Sequence, residues 1–234
     1  MELNGIVQVT MLLPALRTLE IQSIHEELFR HQSLSSAQNF NPLIIELRLM
    51  YCHPSTSQSL FADILRPFNS VESVHYNISY YPHGTTHGER SRYQIFDALT
   101  LAEVSDALKR VQNSLRTFEL TFEERTSAIE YGMNPGDTPL KSFRDFPYLT
   151  DLEVPDKAMG PDSFPGNPSL QIGALNDFLS ASIRNFRISL VNEGNTVYEA
   201  VGDLSTQTKR FPELKNVTLN ASRWQSQDSW KGQA

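Results

Sequence analysis

Apolar and polar positions along this chain follow a short phrase that recurs seven times: an apolar residue, two others, an apolar residue, one other, and a final apolar residue. It occurs at Leu16/Leu19/Ile21, Ile44/Leu47/Leu49, Val71/Val74/Tyr76, Leu115/Phe118/Leu120, Leu149/Leu152/Val154, Ile183/Phe186/Ile188 and Leu214/Val217/Leu219. The phrases begin 28, 27, 44, 34, 34 and 31 residues apart. Side chains alternate across a strand, so the last two apolar residues of each phrase share one face and the residues between them the other; each phrase predicts a short, half-buried strand. With 39% apolar residues in the chain, the bare spacing arises by chance in roughly a dozen windows, and in about three when the intervening positions must be polar. Six of the seven phrases meet the stricter test, and Ile45 spoils the other.

The segments ahead of the phrases carry a different period. Leu60, Phe61, Ile64 and Leu65 form one helical face, with Ser55 and Gln58 at capping-box spacing and Pro67 closing it. Leu101, Val104, Leu108 and Val111 form a second, opened by Thr100 with Glu103 three residues on, and Ile172, Leu175, Phe178 and Leu179 form a third. Shorter candidates run from Leu140 to Phe146 and from Tyr198 to Phe211, the latter interrupted by Gly202. The unit is therefore helix, turn, strand. One amphipathic helix and one short strand cannot bury their apolar faces alone, but stacked units share a core. Strands joined by helices run parallel, so the expected fold class is α/β: a curved solenoid over 1–222, with parallel strands on the concave side and helices on the convex side. Two loops interrupt it, Asn77 to Tyr93 and Pro155 to Pro168, both marked by glycine and proline. Residues 223–234 form a polar tail, and Trp224 just inside it is expected to cap the last repeat.

Ile44 to Cys52 reads IIELRLMYC, with cysteine at the ninth position of the phrase. This form resembles a leucine-rich repeat. The wording LPALRTLEI, SLRTFEL, FPYLTDLEV and FPELKNVTL is similar to the repeat regions of fungal F-box/leucine-rich-repeat proteins, and the resemblance spans nearly the whole chain. It implies protein binding, as in the substrate-recognition part of an F-box-type ubiquitin ligase receptor. Leu13 and Pro14 lead straight into the first phrase, so no F-box is expected within this chain, and the ligase connection requires one upstream.

Composition narrows the partners. Charged residues are 20% of the 234, with a formal net charge of -7, which excludes a nucleic-acid backbone as main partner because that contact needs a cationic footprint. No apolar run approaches a membrane span, and the amino-terminal stretch lacks the basic residues of a signal peptide. A lone cysteine, Cys52, permits no internal disulfide and points to a reducing, intracellular compartment, cytoplasm or nucleus; it is expected to pack as a repeat residue.

No catalytic constellation is expected. His83 and His87 are four apart with His75 nearby, but Gly84 and Gly88 break any helix that would align the imidazoles, so no metal and no cofactor are implied. Glu119, Glu123 and Glu124 read as ordinary solvated carboxylates. The alternative reading is an α/β enzyme of unrecognised type, with a site under the 77–93 loop using His83, His87 or Glu123. Strand parity instead defines a concave surface: Glu20, Arg48, His75, Glu119, Glu153, Arg187 and Thr218 form one outward column, and Thr18, Glu46, Ser73, Thr117, Asp151, Asn185 and Asn216 a second. The expected protein-binding residues are Glu20, Arg48, His75, Glu119, Asp151, Glu153 and Arg187. Glu20 with Arg48 and Glu153 with Arg187 are placed to neutralise each other, while Glu119 beside Glu153, with Asp151 close by, suits a basic segment of a partner protein.

Overall fold

The computed structural model describes residues 15–22, 43–52, 58–78, 101–122, 140–159, 174–190 and 195–221. Seven strands form one sheet: β1 (Thr18–Gln22), β2 (Glu46–Cys52), β3 (Ser73–Ile78), β4 (Thr117–Phe122), β5 (Asp151–Pro155), β6 (Asn185–Leu190) and β7 (Asn216–Ala221). Every neighbouring pair is parallel, and the spatial order is the chain order, β1 through β7. Between them lie α1 (Gln58–Leu65), α2 (Leu101–Leu108), α3 (Ala174–Phe178) and α4 (Asn195–Thr206), with single 3-10 turns at Lys109–Val111 and Asp156–Ala158. Because the order never reverses, crossovers of one hand all fall on one side of the sheet. The helices and the inward strand residues accordingly make one hydrophobic core.

The phrase accounts for that core position by position. Its last two residues are at most 2% exposed on every inner strand: Leu47 and Leu49, Val74 and Tyr76, Phe118 and Leu120, Leu152 and Val154, Phe186 and Ile188. On the edge strands, Leu19, Ile21, Val217 and Leu219 have a neighbour on one side only and are half-buried. Ile45, the residue that breaks the polar rule, is 40% exposed and so does not disturb the parity. From the helices, Phe61, Ile64 and Leu65, then Leu101, Val104 and Leu108, then Leu175 and Phe178 complete the layer.

One joint is repeated between all neighbouring strands. The carbonyl oxygen of the residue before a strand accepts the N–H of two consecutive residues of the next unit: Arg17 from Ile45 and Glu46, Ile45 from Glu72 and Ser73, Glu72 from Arg116 and Thr117, Arg116 from Thr150 and Asp151, Thr150 from Arg184 and Asn185, Arg184 from Lys215 and Asn216. Each of these bonds measures 2.7–3.1 Å. Serines tie the turns above the joints: Ser114 Oγ donates to the Val71 carbonyl at 2.7 Å, and Ser182 Oγ to the Leu149 carbonyl at 2.8 Å.

Four sequence expectations are corrected. Leu140 to Phe146 is not a helix: the N–H groups of Leu140 and Phe143 bond across units, to the carbonyls of Ala158 and Phe178, and the segment's own Phe146 to Phe143 bond closes a single turn. Its apolar residues still enter the core, where the Phe143 ring lies 5.5, 5.2 and 5.4 Å from those of Phe118, Phe146 and Phe178. Gly202 does not interrupt α4, which runs through it to Thr206. Asn77 and Ile78 belong to β3, paired with Thr121 and Phe122, and not to the loop. Pro155 closes β5, and Asp156–Ala158 is a 3-10 turn that buries Ala158 completely. The remainder of both loops, Trp224 and the side chain of Cys52 lie outside the described residues.

Candidate functional site

Parity leaves the opposite face of the sheet polar, and the strand register aligns it into columns. Glu20 pairs with Arg48, Arg48 with His75, His75 with Glu119, Glu119 with Glu153, Glu153 with Arg187 and Arg187 with Thr218. Thr18, Glu46, Ser73, Thr117, Asp151, Asn185 and Asn216 form the neighbouring column in the same way. At strand spacing of about 4.8 Å, each side chain can reach the next strand's. All seven expected binding residues therefore share one face. His83, His87, Glu123 and Glu124 lie outside the described residues.

The side chains on this face are tied to one another. His75 is the hub: its Nδ1 lies 2.7 Å from Glu119 Oε2, and since an ionised carboxylate only accepts, that nitrogen carries the hydrogen. Its Nε2 is 3.0 Å from Ser73 Oγ and 3.4 Å from Glu46 Oε1. Glu46 also accepts from Thr18 Oγ1 at 2.9 Å and from Arg48 Nε at 2.8 Å. Toward the other end, Arg187 Nη1 donates to Glu153 Oε2 at 3.2 Å and Ser189 Oγ to Glu153 Oε1 at 3.3 Å. Asn185 donates to Asp151 at 2.6 Å, and Asn216 to Asn185 at 2.7 Å.

Two charge expectations change as a result. Glu20 and Arg48 are register partners and act on each other through charge, but the hydrogen bonds of Arg48 go to Glu46 on its own strand, a carboxylate also held by Thr18, while Glu20 accepts from Gln22. Glu119 and Glu153 do stand side by side, yet they turn apart, Glu119 to His75 and Glu153 to Arg187 and Ser189. The pairing of Glu153 with Arg187 is present.

These contacts set the carboxylates' acidity. The hydrogen bond from His75 holds Glu119 below the usual carboxylate range; burial opposes it, and the charges of His75, Arg187 and Arg48 reinforce it. For Glu46 burial pushes upward, but hydrogen bonds from Arg48 and Thr18, with the charges of Arg48 and His75, outweigh it and leave the group lowered. The Glu46 hydrogen bond in turn raises Arg48. Accessibility differs among the charged tips: the Arg48 and Arg187 side chains are 45% and 54% exposed, against 14% for Glu153.

Sequence reasoning missed further polar residues on this face: Asn77 and Thr121, register partners in which Asn77 Nδ2 donates to Thr121 Oγ1 at 2.9 Å, and Ser189 on β6, which bonds Glu153. The same parity extended one residue past each phrase would have found them. Among the described residues no three His, Cys, Asp or Glu side chains are grouped to hold a metal ion, and no helix is long and apolar enough to cross a membrane. In comparisons with known proteins the chain matches no family profile, no curated sequence and no solved structure.

Proposed function

We propose that the chain is a leucine-rich-repeat-type scaffold, a solenoid with concave strands and convex helices, that binds another protein through its polar sheet face and carries out no reaction of its own. The observation that supports this is the joint repeated at all six strand-to-strand steps. It keeps successive units in one register, so Glu20, Arg48, His75, Glu119, Asp151, Glu153 and Arg187 form a single extended surface and not a cleft-centred cluster. Such a surface suits recognition of an extended protein segment, for which affinity comes from many aligned contacts.

Five carboxylates on this face, Glu20, Glu46, Glu119, Asp151 and Glu153, outnumber its two arginines, Arg48 and Arg187. The partner's contacting segment is therefore basic, with charge steering the encounter. The resemblance to fungal F-box proteins makes substrate recognition for a ubiquitin ligase, inside the cell, the process this reading points to. That role requires an F-box in the same polypeptide, and an in-frame F-box in the transcript 5′ of Met1 is the observation that decides it.

The binding reading is tested by charge changes of opposite sign on one surface. Glu119→Gln removes a negative group and is expected to weaken a partner purified from an extract by about two- to fivefold, the size of an exposed ion pair. Arg187→Gln leaves Glu153 uncompensated and is expected to strengthen the same interaction by a similar factor. Equal affinities of both variants and the parent in a titration would place the contact on another surface.

A further inference from the structure

The two edges of the sheet are not alike. On both, the apolar residues that are fully covered on inner strands are left half-buried, Leu19 and Ile21 on β1 and Val217 and Leu219 on β7. β1 carries a charge at its centre, Glu20. β7 reads NVTLNA and has no charge, no proline and no glycine, so its own residues carry none of the side-chain devices that keep edge strands from pairing with another chain. Tyr198, on the helix that feeds β7, is 54% exposed at the same end of the chain's stack.

We infer that β7 pairs with β7 of a second copy of this chain, antiparallel about Thr218, to form a two-fold dimer with one continuous sheet. Backbone direction fits this register. The Asn216 N–H bonds the carbonyl of Arg184, just before β6, and N–H and C=O directions alternate along a strand, so Val217 and Leu219 present theirs to the outer edge, where no other strand lies among the described residues. With the axis at Thr218, Val217 lies opposite Leu219 of the second copy, and these are the residues whose backbone groups face outward. They form the hydrogen-bonded pairs, and Thr218 meets Thr218 as a close non-hydrogen-bonded pair. On the core side of the sheet Val217 packs beside Leu219, adding cover to two residues that are half-buried. On the polar side Thr218 faces Thr218, and Asn216 faces Asn220, uncharged pairs that favour cross-strand contact. The same operation on β1 would set Glu20 against Glu20, a like-charge contact that disfavours it. A self-complementary strand closes into a dimer and does not propagate. The contact runs along the backbone edge of β7, at the end of the polar face that carries no charge, and does not depend on what the charged residues of that face hold.

Sedimentation velocity over a range of micromolar concentrations is the direct test: the full chain is expected to move from monomer to a species of twice the mass, with nothing larger. Thr218 is exposed, so Thr218→Lys leaves the core untouched while setting two cations together across the axis. It is expected to weaken dimerisation by more than about tenfold. In a separate variant, Thr218→Cys is expected to form an inter-chain disulfide through residue 218 under mild oxidation, because a non-hydrogen-bonded pair brings the Cβ atoms within bridging range. A monomer at every concentration overturns the inference, as does a dimer that tolerates Thr218→Lys and forms no bridge at residue 218.

Discussion

His75 shows how one residue changes the meaning of its neighbours. From the alternation of side chains alone, Glu119 and Glu153 make an uncompensated pair; once His75 bonds Glu119 and Arg187 bonds Glu153, each carboxylate has a local partner. The energetic consequence is read against pH. Glu119 and Glu46 both titrate below their ordinary values when folded, held there by hydrogen bonds from His75 and from Arg48 and Thr18 against the opposing effect of burial. A depressed carboxylate adds stability that is fully present above its unfolded value, about 4.3 for glutamate, and is lost as pH falls through the folded value. The urea midpoint of the parent is therefore expected to fall between about pH 5 and pH 3, and that of Glu119→Gln to fall less steeply. Parallel curves for the two proteins would mean that the His75 bond contributes nothing to stability.

Among elements, period and length pulled in different directions. Leu140, Phe143 and Phe146 recur every three residues, as on a helix, and all three are buried. Even so, the segment crosses to its neighbours for its backbone bonds, at Ala158 and Phe178. A stretch this short gains little from its own helical bonds, so tertiary acceptors decide its path. α4 is the reverse case. Gly202 read as a break, but twelve residues with Ala200 and Leu204 buried carry the helix through it. A Cβ at Gly202 would meet nothing within 4 Å. Gly202→Ala is thus expected to stabilise the protein by about 0.5–1 kcal/mol, mainly by restricting the unfolded chain. Thermal unfolding should register this as a rise of about 2 °C in Tm; a fall would show that the site has a contact beyond this helix.

For the whole molecule, the sheet shares its core between neighbours, so damage on one strand is felt on both sides. Leu152 lies on β5, between β4 and β6, and is 2% exposed. Leu152→Asp buries an unpaired charge there and is expected to cost about 3–5 kcal/mol, seen as a lower urea midpoint, and an unchanged midpoint would contradict a shared core. What the sequence determined by itself was the strand set and its parity. The seven phrases carry the two-residue period that separates core from surface, and each inner phrase buries its apolar pair whatever the connections do. The columns of the polar face followed, because the phrase starts at the same point in every unit and a parallel sheet preserves that register. Tertiary structure alone decided the paths of the connecting segments and the partners of each charge. Those depend on acceptors far apart in the chain, such as the Phe178 carbonyl for Phe143 and the Glu119 carboxylate for His75. No local period encodes which of several polar groups within reach will be nearest once the strands are stacked.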